Sequence, residues 1–317
     1  MAKGKKGLKA SLSSQQSRLK KKKEAVQAAE LADRKGKKPG AVIKRKTAAK
    51  PAYIPFTTTN RILLVGEGNF SFTAALVVDP PPALQYLPAS NITATAYDSE
   101  EECYSKYPES QNIVSQLREK GVGVVFGVDA TKLEKCGPLK GQKYDKIVWN
   151  FPHAGKGITD QDRNILSNQV LILGFLRSAA PFLTKGPIPT VSKKKKPKGD
   201  ESEDEKEESE NEDEADVTKS VTTRGSILIT LRNVQPYISW NVPQLAKNPP
   251  PPKHLNDPPN LRYIQLRSFA FDRKSWKGYE HRMTKGERAG GKGTTGAGGE
   301  DRTWEFCLGR TTGPYIN

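Results

Sequence analysis

The sequence predicts an α/β fold on a mostly parallel, doubly wound sheet, and three observations carry that expectation. Short β-branched segments alternate with amphipathic ones from about residue 60 to residue 232. The first apolar segment, Ile62–Val65, runs straight into a Gly-Glu-Gly turn that opens a helical pattern. Beyond residue 260 two further strand-like segments follow with no helical pattern between them. Strand, helix and strand in succession mean parallel strands joined by right-handed crossovers.

The elements follow in order. Ile62–Val65 is a strand of four apolar residues. Gly66 and Gly68 lack a Cβ, so the chain turns sharply there and brings its backbone against a ligand, with the free N–H groups of the next helix behind it. That helix is expected over Ser71–Val78, with Phe70 and Phe72 packing it. Asn91–Tyr97 and Gly123–Gly127 read as strands, with helices at Ser99–Tyr107 and Asn112–Lys120 between them. Lys146–Trp149 is the fourth strand. Thr159–Leu183 is a long helix with its apolar stripe at Ile165, Leu166, Val170, Leu173 and Leu176. Gly225–Arg232 is the fifth strand, the proline-rich stretch 243–259 carries no regular element, and Tyr263–Asp272 and Thr303–Leu308 close the pattern. Two strands joined without a helix pair antiparallel or lie apart.

Composition sets the surroundings of this domain. The 317-residue chain has a net charge of +17 and mean hydropathy of −0.68, which makes a polyanion the leading partner class. Residues 1–50 hold seventeen Lys or Arg against three acids, and read as an irregular basic arm that binds RNA or serves as a nuclear-import address; the two roles coexist. A charged, low-complexity insertion is expected at about 185–222, with twelve acids and one lysine between Asp200 and Asp216. The rest, 51–317, is then one domain that keeps a basic balance of its own. No apolar run is read as a membrane span and no secretory leader is recognised, so the chain is expected to be soluble and not secreted. Cys103, Cys136 and Cys307 lack metal-ligand spacing, so no metal is expected.

In an open α/β sheet, ligands bind beyond the carboxyl ends of the strands. Four successive ends carry Gly66-Glu67-Gly68, Asp98, Asp129-Ala130, and Asn150-Phe151-Pro152-His153. Asp98 can accept both ribose hydroxyls of an adenosine, and Asp129 can accept from an adenine amine while Ala130 offers its N–H. Taken singly, each Asp is as readily a helix cap. A dinucleotide fingerprint requires a third glycine where Ser71 stands, which disfavours NAD and leaves S-adenosylmethionine as the favoured cofactor. An α/β sheet ending in a strand pair points the same way, to a Rossmann-like methyltransferase.

With Leu63 to Phe72, Ala96-Tyr97-Asp98-Ser99, Val128-Asp129-Ala130-Thr131 and Asn150 to His153 on the page, the chain resembles the eukaryotic ribosomal RNA uracil-N3 methyltransferases of the large subunit. The resemblance covers about residues 60–310 apart from the insertion. It departs from the general methyltransferase pattern in having Leu64 and Phe70 where an acid and a third glycine often stand. It implies a seven-stranded Rossmann-like sheet with a terminal antiparallel strand and helices on both faces. It also implies S-adenosylmethionine-dependent methylation of a uridine at N3 in large-subunit ribosomal RNA, during ribosome biogenesis in the nucleus and nucleolus. Gly66, Glu67, Gly68, Asn69, Ser71, Asp98, Asp129 and Ala130 would hold the cofactor. Asn150 would meet the base edge, Phe151 would stack on it, and His153 would serve as general base, with His281 a competitor for that role. Arg273, Lys274, Trp276, Tyr279, His281 and Arg282 mix aromatic and basic character and are expected to contact RNA. The protein is expected to act as a monomer. Methylation of another RNA position or of a protein, and an inactive RNA-binding assembly factor, are the alternatives.

Overall fold

The computed structural model describes residues 53–189, 223–252, 258–282 and 299–309. The expected basic arm and most of the expected insertion lie outside the described residues. Those described belong to one compact unit. Its strands are β1 (Ile62–Val65), β2 (Ile92–Thr95), β3 (Gly123–Val125), β4 (Lys146–Asn150), β5 (Ser226–Arg232), β6 (Tyr263–Ala270) and β7 (Asp301–Leu308). They form a seven-stranded sheet in the order β3-β2-β1-β4-β5-β7-β6. The first five are parallel; β7 runs antiparallel between β5 and β6. This is the Rossmann-like methyltransferase arrangement, and the last two strands do pair with each other.

Period-two alternation divides the apolar residues between two cores. Leu63 and Val65 of β1, Ile147 and Trp149 of β4, and Ile227 and Ile229 of β5 share one cluster with Phe175 and Leu176. Ile62, Leu64, Val148 and Leu228 share the other with Phe70, Phe72 and Leu76. β1, β4 and β5 are thus buried on both faces, which is why these segments read as continuous apolar runs, whereas β3 at the sheet edge is exposed to half-buried. The first face is covered by α4 (Gln161–Ala179) and α5 (Val242–Lys247), the second by α1 (Ser71–Val77), α2 (Glu100–Lys106) and α3 (Ser110–Glu119).

The structure corrects the sequence reading in three places. Helix α5 lies inside the stretch assigned no regular element: Pro243 sits in its first turn, where a missing N–H costs nothing. Short 3-10 turns, Ala130–Lys135 and Gly137–Leu139, bridge β3 to β4, a connection to which the sequence reading assigned no helix. The segment Gln161–Phe182 does have the length and apolar character of a membrane span. Half of it is buried within the fold, through Ile172, Phe175, Leu176 and Ala179; of the expected stripe Leu176 is buried and Ile165 and Leu173 pack partly against the core, whereas Leu166 and Val170 are about half exposed. Gly174 allows this helix to close on the turn after β3, since a Cβ there would stand 2.9 Å from Thr131 Cγ2.

Candidate active site

The turn after β1 is built for close approach. Gly66 has φ +67°, and a Cβ would lie 2.7 Å from the Trp149 indole nitrogen, so both backbone and neighbour require glycine. The Glu67 N–H donates to Thr95 O at 2.8 Å, fastening the turn to β2. Phe70, the N-cap position of α1, has φ 62° and caps nothing with its side chain. Glu67 takes over that work: its Oε2 accepts from Thr73 N at 3.2 Å and Thr73 Oγ1 at 3.1 Å. Burial pushes the Glu67 carboxyl up to about 7 despite these bonds. Asn69 is buried, donating to Glu109 Oε1 at 3.0 Å and accepting from Ser71 N at 3.2 Å. Two of the expected cofactor-holding side chains, Glu67 and Asn69, therefore already have structural partners.

The acids at the next two strand ends differ from one another. Ser99, not Asp98, caps α2, in a reciprocal box with Glu102. Asp98 is thereby released to the cavity, with Lys106 Nζ 2.6 Å from its Oδ1. Asp129 does cap, accepting from Thr131 N at 2.9 Å and Oγ1 at 2.7 Å, with Lys132 3.3 Å from its other oxygen. Against the burial that would raise it, the Thr131 bonds and Lys132 hold the Asp129 carboxyl below its usual range.

Asn150 ends β4, and its Oδ1 is buried with no hydrogen-bond partner among the described residues. Phe151 follows at φ 53°, a conformation that strains a residue with a Cβ, held by its N–H to Thr230 O at 2.8 Å. The Arg273 guanidinium lies 5.0 Å over the Phe151 ring, and the His281 ring stands 4.3 Å from it. Burial, with Arg273 and Arg232 beside it, pushes His281 down to about 4, so its imidazole is neutral at physiological pH.

The segment Tyr279–Arg282 closes over the glycine turn. Ser71 Oγ donates to Glu280 O at 3.0 Å and accepts from Glu280 N at 3.1 Å. Arg282 pairs with Glu109 at 2.9 Å and with Glu280 at 2.7 Å. Ser71, in the place of a third glycine, is thus the anchor of this strap.

Two expected roles are corrected. His153 Nδ1 accepts from the Gly155 N–H at 2.9 Å, which puts the proton of a neutral ring on Nε2. Neither nitrogen then has a lone pair for a substrate proton, so His153 is not a general base in this arrangement. Trp276 is 4% exposed, packed against Phe72 at 5.0 Å and Phe56 at 5.9 Å, and stacks no RNA base here. Arg273 is tied to Asp301 at 2.6 Å, and Lys274 is exposed beside it.

One cavity of about 560 Å³ is bordered by the glycine turn, Asp98, Asp129 and Ala130, Asn150 to His153, and Tyr279 to Arg282. This volume suits a small-molecule site. The expected cofactor and base-contacting groups, drawn from five separated segments, meet in it; Arg273, Lys274 and Trp276 do not border it. Sequence reasoning missed Tyr97, Trp149, Thr131 and Lys156 on its wall. Tyr97, beside Asp98 at the strand end, is 72% exposed and fills no core.

Residues 63–283 match the family model described as BMT5-like, rRNA (uridine-N3-)-methyltransferase BTM5-like. The chain belongs to this family. It is 28% identical over 257 residues to the 25S rRNA (uridine(2634)-N(3))-methyltransferase of Saccharomyces cerevisiae, covering 74% of this chain and 69% of the yeast protein. An uncharacterized protein of Arabidopsis thaliana, At4g26485, is 39% identical over 131 residues, 40% of this chain and 60% of that one. The heavy metal-associated isoprenylated plant protein 41 of the same plant is 24% identical over 234 residues, 74% of this chain and 35% of that protein. The chain thus spans less than two thirds of the length of these two plant relatives.

Proposed function

We propose that this protein methylates N3 of a uridine in large-subunit ribosomal RNA, using S-adenosylmethionine, during ribosome assembly in the nucleolus. One observation carries the reading: the Gly66–Gly68 turn and Asp98 share a single cavity with Asn150, Phe151 and His281. The residues present fit the cofactor. Gly66 leaves a cradle that a Cβ would close, and Asp98, freed by the Ser99 cap, offers acceptor oxygens suited to a ribose diol. Tyr97 supplies a flat face beside it. When bound, the cofactor supplies the electrophilic methyl group.

The chain's own residues then do the rest. Methyl transfer is an in-line displacement that rewards alignment. Asn150 presents an unsatisfied carbonyl oxygen to a base-edge N–H, and Phe151, locked at its strained φ, offers the ring on which uracil stacks. Uracil N3 must lose its proton to become nucleophilic. His281 is neutral beside the Phe151 ring, and the positive charge of Arg273 and Arg232 that disfavours its imidazolium stabilises the anionic uracil ring left when that proton departs to water. N3 lies on the Watson–Crick edge, so the target base is unpaired or extruded when it reacts. That places the step on precursor RNA rather than on a finished subunit. The basic arm, residues 1–50, would add affinity for the phosphate backbone.

Two measurements test this. Calorimetry should show S-adenosylmethionine binding that weakens about 10- to 100-fold in Asp98→Ala, the effect of losing charge-assisted hydrogen bonds. Nucleoside mass spectrometry of ribosomal RNA should show 3-methyluridine lost on deletion of the gene and restored by the wild-type chain; an unchanged level rejects the uridine assignment.

A further inference from the structure

A second recess opens beside the cavity just described, across His153, which borders both. Its volume is about 420 Å³. One wall is the start of α4 with the loop before it, including Thr159, Gln161 and Asn164; the other is the turn after β5, including Gln235 and Tyr237.

The chemistry of the two differs. The first is edged by Asp98, Asp129, Lys156 and Arg282, whereas among the described residues no Lys, Arg, Asp or Glu lines the second. A phosphate is held by cations or clustered N–H donors, and this recess offers amides and aromatic rings in their place. Tyr237 and His153 flank Trp240, with ring centroids 5.1 and 5.9 Å away. Gln235 is exposed and its Oε1 accepts from Ser239 Oγ at 2.7 Å, so donation from its Nε2 is the contact it would make to a ligand. Neutral, planar, edge-bonding chemistry of this kind describes a nucleobase. An extruded base drags its neighbours along the protein surface, and two recesses that share His153 on their borders are placed to receive adjacent nucleotides.

The geometry points to this recess as the binding site for the base next to the target uridine in single-stranded RNA, stacked against Tyr237 and read at its polar edge by Gln235. It gives the enzyme a means of choosing one uridine among many. This inference rests on the RNA-uridine reading above.

The test uses the full chain and RNA pentamers with a central uridine, each of the four bases being placed in turn at the two neighbouring positions. Fluorescence anisotropy should show one base preferred at one neighbouring position by about tenfold, the discrimination expected of a bidentate contact. Gln235→Ala should erase that preference. Tyr237→Ala should weaken all pentamers about tenfold through lost stacking, while Tyr237→Phe keeps wild-type affinity. S-adenosylmethionine binding should be unchanged in all three. The inference is overturned if Gln235→Ala retains the wild-type preference, or if folded Tyr237→Ala binds every pentamer as the wild type does. Failure of the underlying reading looks different: selective, Gln235-dependent pentamer binding with no 3-methyluridine formed would leave the recess assigned and remove the reaction.

Discussion

Strand β4 begins and ends in polar groups, and the two ends behave oppositely. At its start, Lys146 Nζ lies 2.5 Å from Glu305 Oε1, which also accepts from Ser226 Oγ at 2.6 Å, while Arg267 pairs with the other oxygen at 2.8 Å. This ties β4, β5, β7 and β6 together around a carboxylate only 1% exposed. At the other end Asn150 Oδ1 meets no donor among the described residues, and Phe151 is held in a strained conformation. One end of the strand pairs its charges and serves as a fastening, although Glu305 Oε2 and Arg267 Nε lie close without an aligned hydrogen bond. The other leaves a buried acceptor without a donor beside a residue held at strained φ, the features on which the proposed base contact rests.

Breaking each end should separate stability from chemistry. Glu305→Ala strands Lys146 without its counter-charge and should cost about 3–5 kcal/mol of unfolding free energy in denaturant titrations. The protein that remains folded should bind S-adenosylmethionine as before. Asn150→Ala should do the reverse: a loss of about 10²–10³-fold in methyl transfer, the scale of removing one preorganised polar contact, with the melting temperature held or raised because a costly orphan is gone.

Glu67 sharpens the contrast through pH. Its folded-state carboxyl is raised from 4.5 to about 7 by burial, so the folded protein holds this proton more tightly than the unfolded chain. The associated stability is complete below about pH 4.5 and is lost as pH rises through 7. Between those limits it amounts to at most about 3 kcal/mol. In Glu67→Gln, which keeps an acceptor for Thr73, that pH slope should vanish from chemical denaturation curves. The smallest effect is expected at Ser99→Ala, about 1 kcal/mol of stability. Cofactor affinity should survive this change, since Asp98 is not the cap; equal weakening in Ser99→Ala and Asp98→Ala would mean that the two residues act as one unit.

Much of the fold was legible because the central strands β1, β4 and β5 are buried on both faces. The runs Ile62–Val65 and Lys146–Asn150 admit no other reading, and their ends mark the site. Helix α5 was not legible, because Pro243 reads as a breaker unless it is known to be at the helix start. The cavity-lining residues Asp98 and Asn150 could be placed from strand ends alone. Roles that depend on partners could not. Whether Asp98 or Ser99 caps α2 turns on the Glu102 side chain. The base role of His153 fails on a backbone N–H two residues away. Trp276 and Tyr97 show the same limit from opposite sides: neither one's burial follows from its neighbours in sequence.

The strap from Tyr279 to Arg282 has a consequence in time. Ser71 and Glu280 are 209 residues apart in sequence yet are bonded twice to each other. A chain made from its N-terminus has the glycine turn early and lacks the residues that cover it until synthesis is far advanced. The site is therefore finished late in the making of the protein, and a partly synthesised chain carries an uncovered glycine turn.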